Sequence, residues 1–223
     1  MFCHNLIDLP ILEQINSLMG RRYKTPDGNL YPSVTTVLDK TLDKTGLEEW
    51  KAAVGEEEAR RVARIAANRG TQVHELCEDY IMNEPLRKAM PLSKMMFNQI
   101  KTVLDENVDN IRVSEGRLYS DKLMVAGSVD LLANWKQEKA TIDFKTSIRE
   151  KEREWIDGYF LQTSMYAFMA WERTGIFHNK IVIIIAIEEG NKAQVFTDKA
   201  TNWIDKAQML CKAYHLEERN YGE

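Results

Sequence analysis

Cysteine, proline and glycine are all scarce in this 223-residue chain, at three, five and eleven residues. Cys3, Cys77 and Cys211 are far apart, odd in number and form no Cys-x-x-Cys. They read as reduced thiols rather than a disulfide framework, and their spacing argues against a four-cysteine zinc or iron–sulfur site. Long apolar runs are missing too. The longest, "IVIIIAI" at 181–187, has the length of a strand and not of a membrane span. The first twenty residues have no basic start, no cleavable apolar core and no arginine before Arg21. They resemble neither a secretory signal nor an organelle transit peptide, so the expected compartment is the cytoplasm of a bacterial or phage-infected cell. A strong positive charge is also lacking: the formal net charge is -4. This excludes a protein coated in basic surface while leaving room for a local basic groove.

What is present is a globular composition, 44% hydrophobic and 29% charged. It suffices for one substantial core, or one core with a helical appendage. No internal repeat or low-complexity linker divides the chain. Residues 6–19 are expected to form a short helix. Pro26-Asp27-Gly28 marks a turn, and Ser33 is placed to cap a helix that follows Pro32. Residues 47–83 are strongly helical, with a break expected at Gly55 or Gly70. Val62, Ile65, Ala66, Val73, Leu76 and Tyr80 fall near one stripe of that segment. Another helix is expected over 92–107. The period then changes: 111–121, 123–135 and 140–147 alternate as strands do. Residues 153–173 return to helix, 180–189 form a buried central strand, 193–198 an edge strand, and 199–219 a final amphipathic helix. The order specifies an α/β fold, a mixed central sheet flanked by helices with a helical N-terminal part.

Within this pattern one hairpin stands out. "AGSVDLLANWKQEKATIDFKTS", 126–147, places Asp130, Asp143 and Lys145 among apolar neighbours. Asp143 and Lys145, two apart, share a strand face. A turn centred on 136–139 sets Asp130 opposite Lys145, with Asp143 one diagonal step away. Two carboxylates on one face repel unless a cation lies between them. Few hard oxygen ligands suit Mg²⁺ or Mn²⁺, and an adjacent lysine suits metal-assisted phosphodiester hydrolysis. From these residues alone, cross-strand salt bridges on a solvated face are the competing reading.

Further motifs separate the two. Gly127-x-x-Asp130 followed by Asp143-x-Lys145 resembles the core of the PD-(D/E)XK nuclease superfamily. Gln162-x-x-x-Tyr166 downstream and Gly70-x-x-x-His74 upstream are similar to the extra motifs of its RecB-type branch. "YPSVTTVLDKTLDKTGLEEWKAA", 31–53, is similar to the N-terminal segment of mitochondrial genome maintenance exonuclease-like proteins. The motifs run in family order from Pro32 to Tyr166. The resemblance implies a restriction-endonuclease-like core. It assigns Asp130, Asp143, His74 and the backbone carbonyl of Phe144 to a Mg²⁺ or Mn²⁺ ion, and Lys145 to the role of catalytic base or electrostatic stabiliser. Gln162 and Tyr166 would orient Lys145 or hold substrate, and Ser33 would contact a phosphate unless it only caps its helix. Glu115 fills a place where relatives often have an acid.

The implied activity is that of a DNA exonuclease acting on single strands or frayed ends in replication, recombination or repair. One nuclease domain, 1–223, would comprise a helical cover at 33–107 and a catalytic sheet core at 111–223. The chain has no phosphate-loop motif, so ATP-driven unwinding would fall to a helicase, with a single-strand-binding protein as another expected partner. An endonuclease or helicase-associated nuclease subunit uses the same chemistry. A DNA-binding scaffold without catalysis is the alternative of another class.

Overall fold

In the computed structural model, which describes residues 1–17 and 20–220, the main sheet has five strands in sequential order. They are β4 (Val108–Ser120), β5 (Val125–Trp135), β6 (Glu138–Ser147), β7 (Lys180–Ile187) and β8 (Gln194–Lys199). Only β6 and β7 run parallel, joined through helix α5 (Asp157–Thr174), so the sheet is mixed as expected. Residues 18–19 of the expected first helix and 221–223 of the expected core lie outside the described residues.

The helix expected over 6–19 does not form. Pro10 has no N–H and biases Leu9 away from helical geometry. The segment runs extended instead, with Asn5 and Ile7 donating their amides to the carbonyls of Ile111 and Arg112 on β4 (2.8 and 2.9 Å). Those contacts cover part of an exposed sheet edge. Next comes a small antiparallel sheet absent from the sequence reading: β1 (Glu13–Ser17), β2 (Gly20–Lys24) and β3 (Leu30–Pro32). The turn at Pro26-Asp27-Gly28 joins β2 to β3, with Gly28 at φ +85° and its amide donating to Thr25 O at 2.9 Å.

Ser33 caps α1 (Val34–Thr41), accepting from the Thr36 amide at 3.0 Å. Gly55, also at φ +85°, is the break between α2 (Thr45–Val54) and α3 (Glu56–Ile81), whereas Gly70 lies within α3. Helix α2 buries no residue and packs chiefly on α3. The expected apolar stripe of α3 holds only in its C-terminal half. Val73, Leu76, Cys77 and Ile81 are buried, while Ile65 is exposed. Arg60 and Arg61 pair with Glu56 and Glu58 along the helix, a solvated arrangement of small energetic weight. Arg69 differs, being buried against Glu188.

One sheet face packs on α3 and α4 (Pro91–Asn107), and the other on α1, α5 and α6 (Ile204–Asn220). The run in β7 is buried on both sides. Val182, Ile184 and Ala186 meet the first layer, and Ile181, Ile183, Ile185 and Ile187 the second. At the end of β7, where pairing with β8 has stopped at Ile185, Gln99 of α4 replaces a neighbouring strand. Its carboxamide donates to Ile187 O (2.7 Å) and Gly190 O (2.9 Å) and accepts from the Ile187 amide (2.8 Å). Gln99→Leu strands these backbone groups and is expected to cost about 3 kcal/mol. Urea unfolding should show this as a lower midpoint at unchanged slope.

Candidate metal centre at the sheet fork

The site is built by a split in the sheet. Strands β5 and β6 pair only from Trp135↔Glu138 to Leu131↔Ile142. Beyond that point β5 stays with β4 as far as Val125, while β6 stays with β7 as far as Ser147. The hairpin turn has two residues, Lys136 and Gln137, at φ +47° and +72°. The expected register is therefore corrected by two residues. Asp130 lies abreast of Asp143, not opposite Lys145, because the tighter turn shortens the loop. The turn is still even, so Asp130 and Asp143 keep to one face.

At the fork the Asp130 carboxylate takes over a lost ladder bond. Its Oδ2 accepts from the Phe144 amide at 2.7 Å. Across β4, the pairs Ser114↔Leu131 and Gly116↔Val129 bracket Glu115, which stands abreast of Asp130 at φ +49°. Three carboxylates thus follow one another across three strands. His74 of α3 closes one side. Its Nε2 is 2.9 Å from Phe144 O, and its Nδ1 is 3.4 Å from Glu115 Oε1 and 3.5 Å from Asp130 Oδ1. Donor atoms of His74, Glu115 and Asp130 lie within 4.8 Å of one another.

Helix α5 closes the other side. Gln162 Nε2 donates to Asp143 Oδ1 at 3.2 Å, and the Lys145 ammonium pairs with Asp143 Oδ2. Gln162 therefore reaches Asp143 and not Lys145. The ring that meets Lys145 is that of Tyr159, whose centroid is 5.2 Å from the ammonium. Sequence reasoning missed Tyr159, although its position three residues before Gln162 puts both on one helical face. Tyr166 is buried against Gly127, where a Cβ would lie 2.9 Å from the tyrosine ring. That close approach is why glycine stands at 127. Ser33 sits apart from this cluster in its contacts: it is 2% exposed and its hydroxyl is engaged with Thr35 and Thr36.

Burial dominates the electrostatics. Asp143 is 1% exposed and Asp130 8%. Loss of water pushes the Asp143 carboxyl up to about 6, although Lys145 opposes the shift, and it also raises Asp130 despite nearby His74. Burial works against charging His74 and Lys145, but the carboxylates outweigh it. Asp130 and Glu115 raise His74 to about 9, and Asp143 with Asp130 raises Lys145. The cluster thus draws in positive charge. Its clustered donors, one imidazole and the carboxylates of Glu115 and Asp130, suit a hard divalent cation, while the expected Phe144 carbonyl faces His74 Nε2 instead. Asp143 Oδ2 is buried without a well-formed hydrogen bond, with the Lys145 ammonium beside it. The residues fit such an ion.

Fold and site together define an α/β protein with a His–carboxylate centre where its mixed sheet divides. No family model matches the chain. Over 141 residues it is 27% identical to human mitochondrial genome maintenance exonuclease 1, a match covering 59% of this chain and 40% of that protein. The chain thus spans less than half the length of that relative. No helix among the described residues is long and apolar enough to cross a membrane.

Proposed function

We propose that the chain is a divalent-metal-dependent deoxyribonuclease, an exonuclease acting on single-stranded DNA or frayed ends. The observation that carries this reading is the cluster of His74, Glu115 and Asp130 at the sheet fork, with Asp143 on the neighbouring strand and Lys145 paired to it. Its similarity to a protein named as an exonuclease supports the same chemistry. In this reading His74, Asp130, Asp143 and the Phe144 carbonyl, with Glu115, hold Mg²⁺ or Mn²⁺. When bound, the cation offsets charge on the scissile phosphate and acidifies a water. Gln162 fixes the Asp143 carboxylate, and Tyr159 confines the Lys145 ammonium beside it. Lys145 is then placed to stabilise negative charge developing on the phosphate. The segment 33–107 serves as a cover over the strand, within a single nuclease domain. DNA replication, recombination or repair is the setting, in the cytoplasm of a bacterial or phage-infected cell. A helicase or single-strand-binding protein supplies open strands where the substrate is duplex.

The test is a time course on end-labelled linear and closed circular single-stranded DNA with Mg²⁺, Mn²⁺ or EDTA. Metal-dependent shortening of the linear strand alone is expected. Cleavage of circles would replace the exonuclease with an endonuclease, and no cleavage of any DNA in either metal would leave the non-catalytic scaffold. Metal binding has its own readout. Mn²⁺ at about 100 times its Kd should stabilise the fold by about 2.7 kcal/mol, roughly 5 °C or more in Tm for a chain of this size. Asp130→Asn should remove that increment in a thermal melt.

A further inference from the structure

A second feature adjoins the fork through two side chains, Tyr159 and Gln162. A cavity of about 1090 Å³ lies between α1, the start of α2 and the beginning of α5. Leu38, Leu42 and Leu47 form its apolar wall, and Tyr159 and Gln162 line it where it approaches Lys145 and Asp143. Trp155, in the 3₁₀ turn that precedes α5, also lines it and is 69% exposed. Its indole makes no ring contact and no hydrogen bond among the described residues. An unpartnered tryptophan this open is an unusual use of a large apolar surface.

The charges around the cavity narrow the choice of occupant. Lys44 and Lys151 are matched by Asp39, Asp43 and Glu154, and Lys44 is already paired with Asp39 at 2.9 Å. Such walls do not favour a phosphate. They suit a flat group that is apolar on its faces and polar at its edges. We propose that this cavity is a nucleobase subsite, in which an unpaired base next to the scissile phosphate stacks on Trp155. Aromatic stacking of this kind is indifferent to base identity, because every base offers a π face. It also requires the base to have left any duplex, so the subsite selects single-stranded DNA. The inference rests on the nuclease reading, since the cavity acquires this meaning from sharing Gln162, which holds Asp143, and Tyr159, which meets Lys145.

The experiment is equilibrium binding, by fluorescence anisotropy, of a labelled short oligothymidylate in Ca²⁺ buffer. A same-length abasic oligonucleotide is the control, and cleavage in Mg²⁺ is measured in parallel. Trp155→Ala should weaken binding of the oligothymidylate about 5- to 100-fold and leave the abasic strand unaffected. Trp155→Phe should restore most of the loss. Trp155 is exposed, so neither change threatens the core. Wild-type cleavage with Trp155→Ala binding within twofold of wild type overturns the subsite and leaves the nuclease standing. Equal weakening on the abasic strand also overturns it, because the contact would then not be with a base. A wild-type chain that neither binds nor cleaves these strands removes both readings.

Discussion

Asp143→Asn is expected to abolish metal-dependent hydrolysis, lowering single-turnover cleavage of single-stranded DNA by about 10³-fold or more. Asp143 joins groups from α5, β5 and β6. One oxygen accepts from Gln162 at 3.2 Å, the other lies against the Lys145 ammonium, and the residue stands abreast of Asp130. The substitution preserves shape while removing the charge that ties α5 and Lys145 to the fork. Asparagine offers a cation a neutral carbonyl in place of a carboxylate and adds an N–H₂ donor beside an ammonium. Loss of turnover should therefore come with loss of the Mn²⁺ stabilisation, which a thermal melt reports independently. DNA binding through groups remote from the fork should persist. A variant that keeps full turnover would remove Asp143 from the mechanism.

The distinction between charge placement and backbone geometry also marks what the sequence could and could not reveal. Helix α5, β7 and the β4–β6 meander were legible because their apolar patterns are long and keep one period. Ser33 was legible as punctuation, since a hydroxyl before a helix has few structural uses, whereas the helix break was narrowed only to Gly55 or Gly70, and the structure places it at Gly55. The small sheet β1–β3 was not, because its strands are three to five residues long and rich in polar residues. The hairpin register was missed for a related reason. Two-residue turns usually announce themselves with asparagine or glycine, whereas here Lys136 and Gln137 adopt positive φ. The identity of the clustered residues survived that error because an even loop preserves the face. The fork itself depends on where β5 changes allegiance from β6 to β4, which is decided by packing on both sheet faces and leaves no local mark. Glu115 was reached only through the family resemblance. Its position follows from the register of β4 against β5, not from its neighbours in sequence.

Lys145→Ala is expected to reduce turnover by about 10²–10³-fold while leaving single-strand affinity largely intact, and a second substitution assigns the lost role. In the structure Lys145 is raised above its ordinary range: burial opposes its charge, but Asp143 and Asp130 more than compensate. An ammonium so held is protonated at neutral pH and has no lone pair with which to remove a proton from water. Electrostatic stabilisation of the phosphate is the role that state supports, with the Tyr159 ring confining the ammonium from one side. Lys145→Arg keeps the positive charge and cannot act as a base at any working pH. It should therefore retain turnover measurably above that of Lys145→Ala, and its rate should show no new dependence on a group titrating near neutrality. An arginine variant as inactive as the alanine variant, with DNA binding and Tm both intact, would instead make Lys145 the residue that removes the proton.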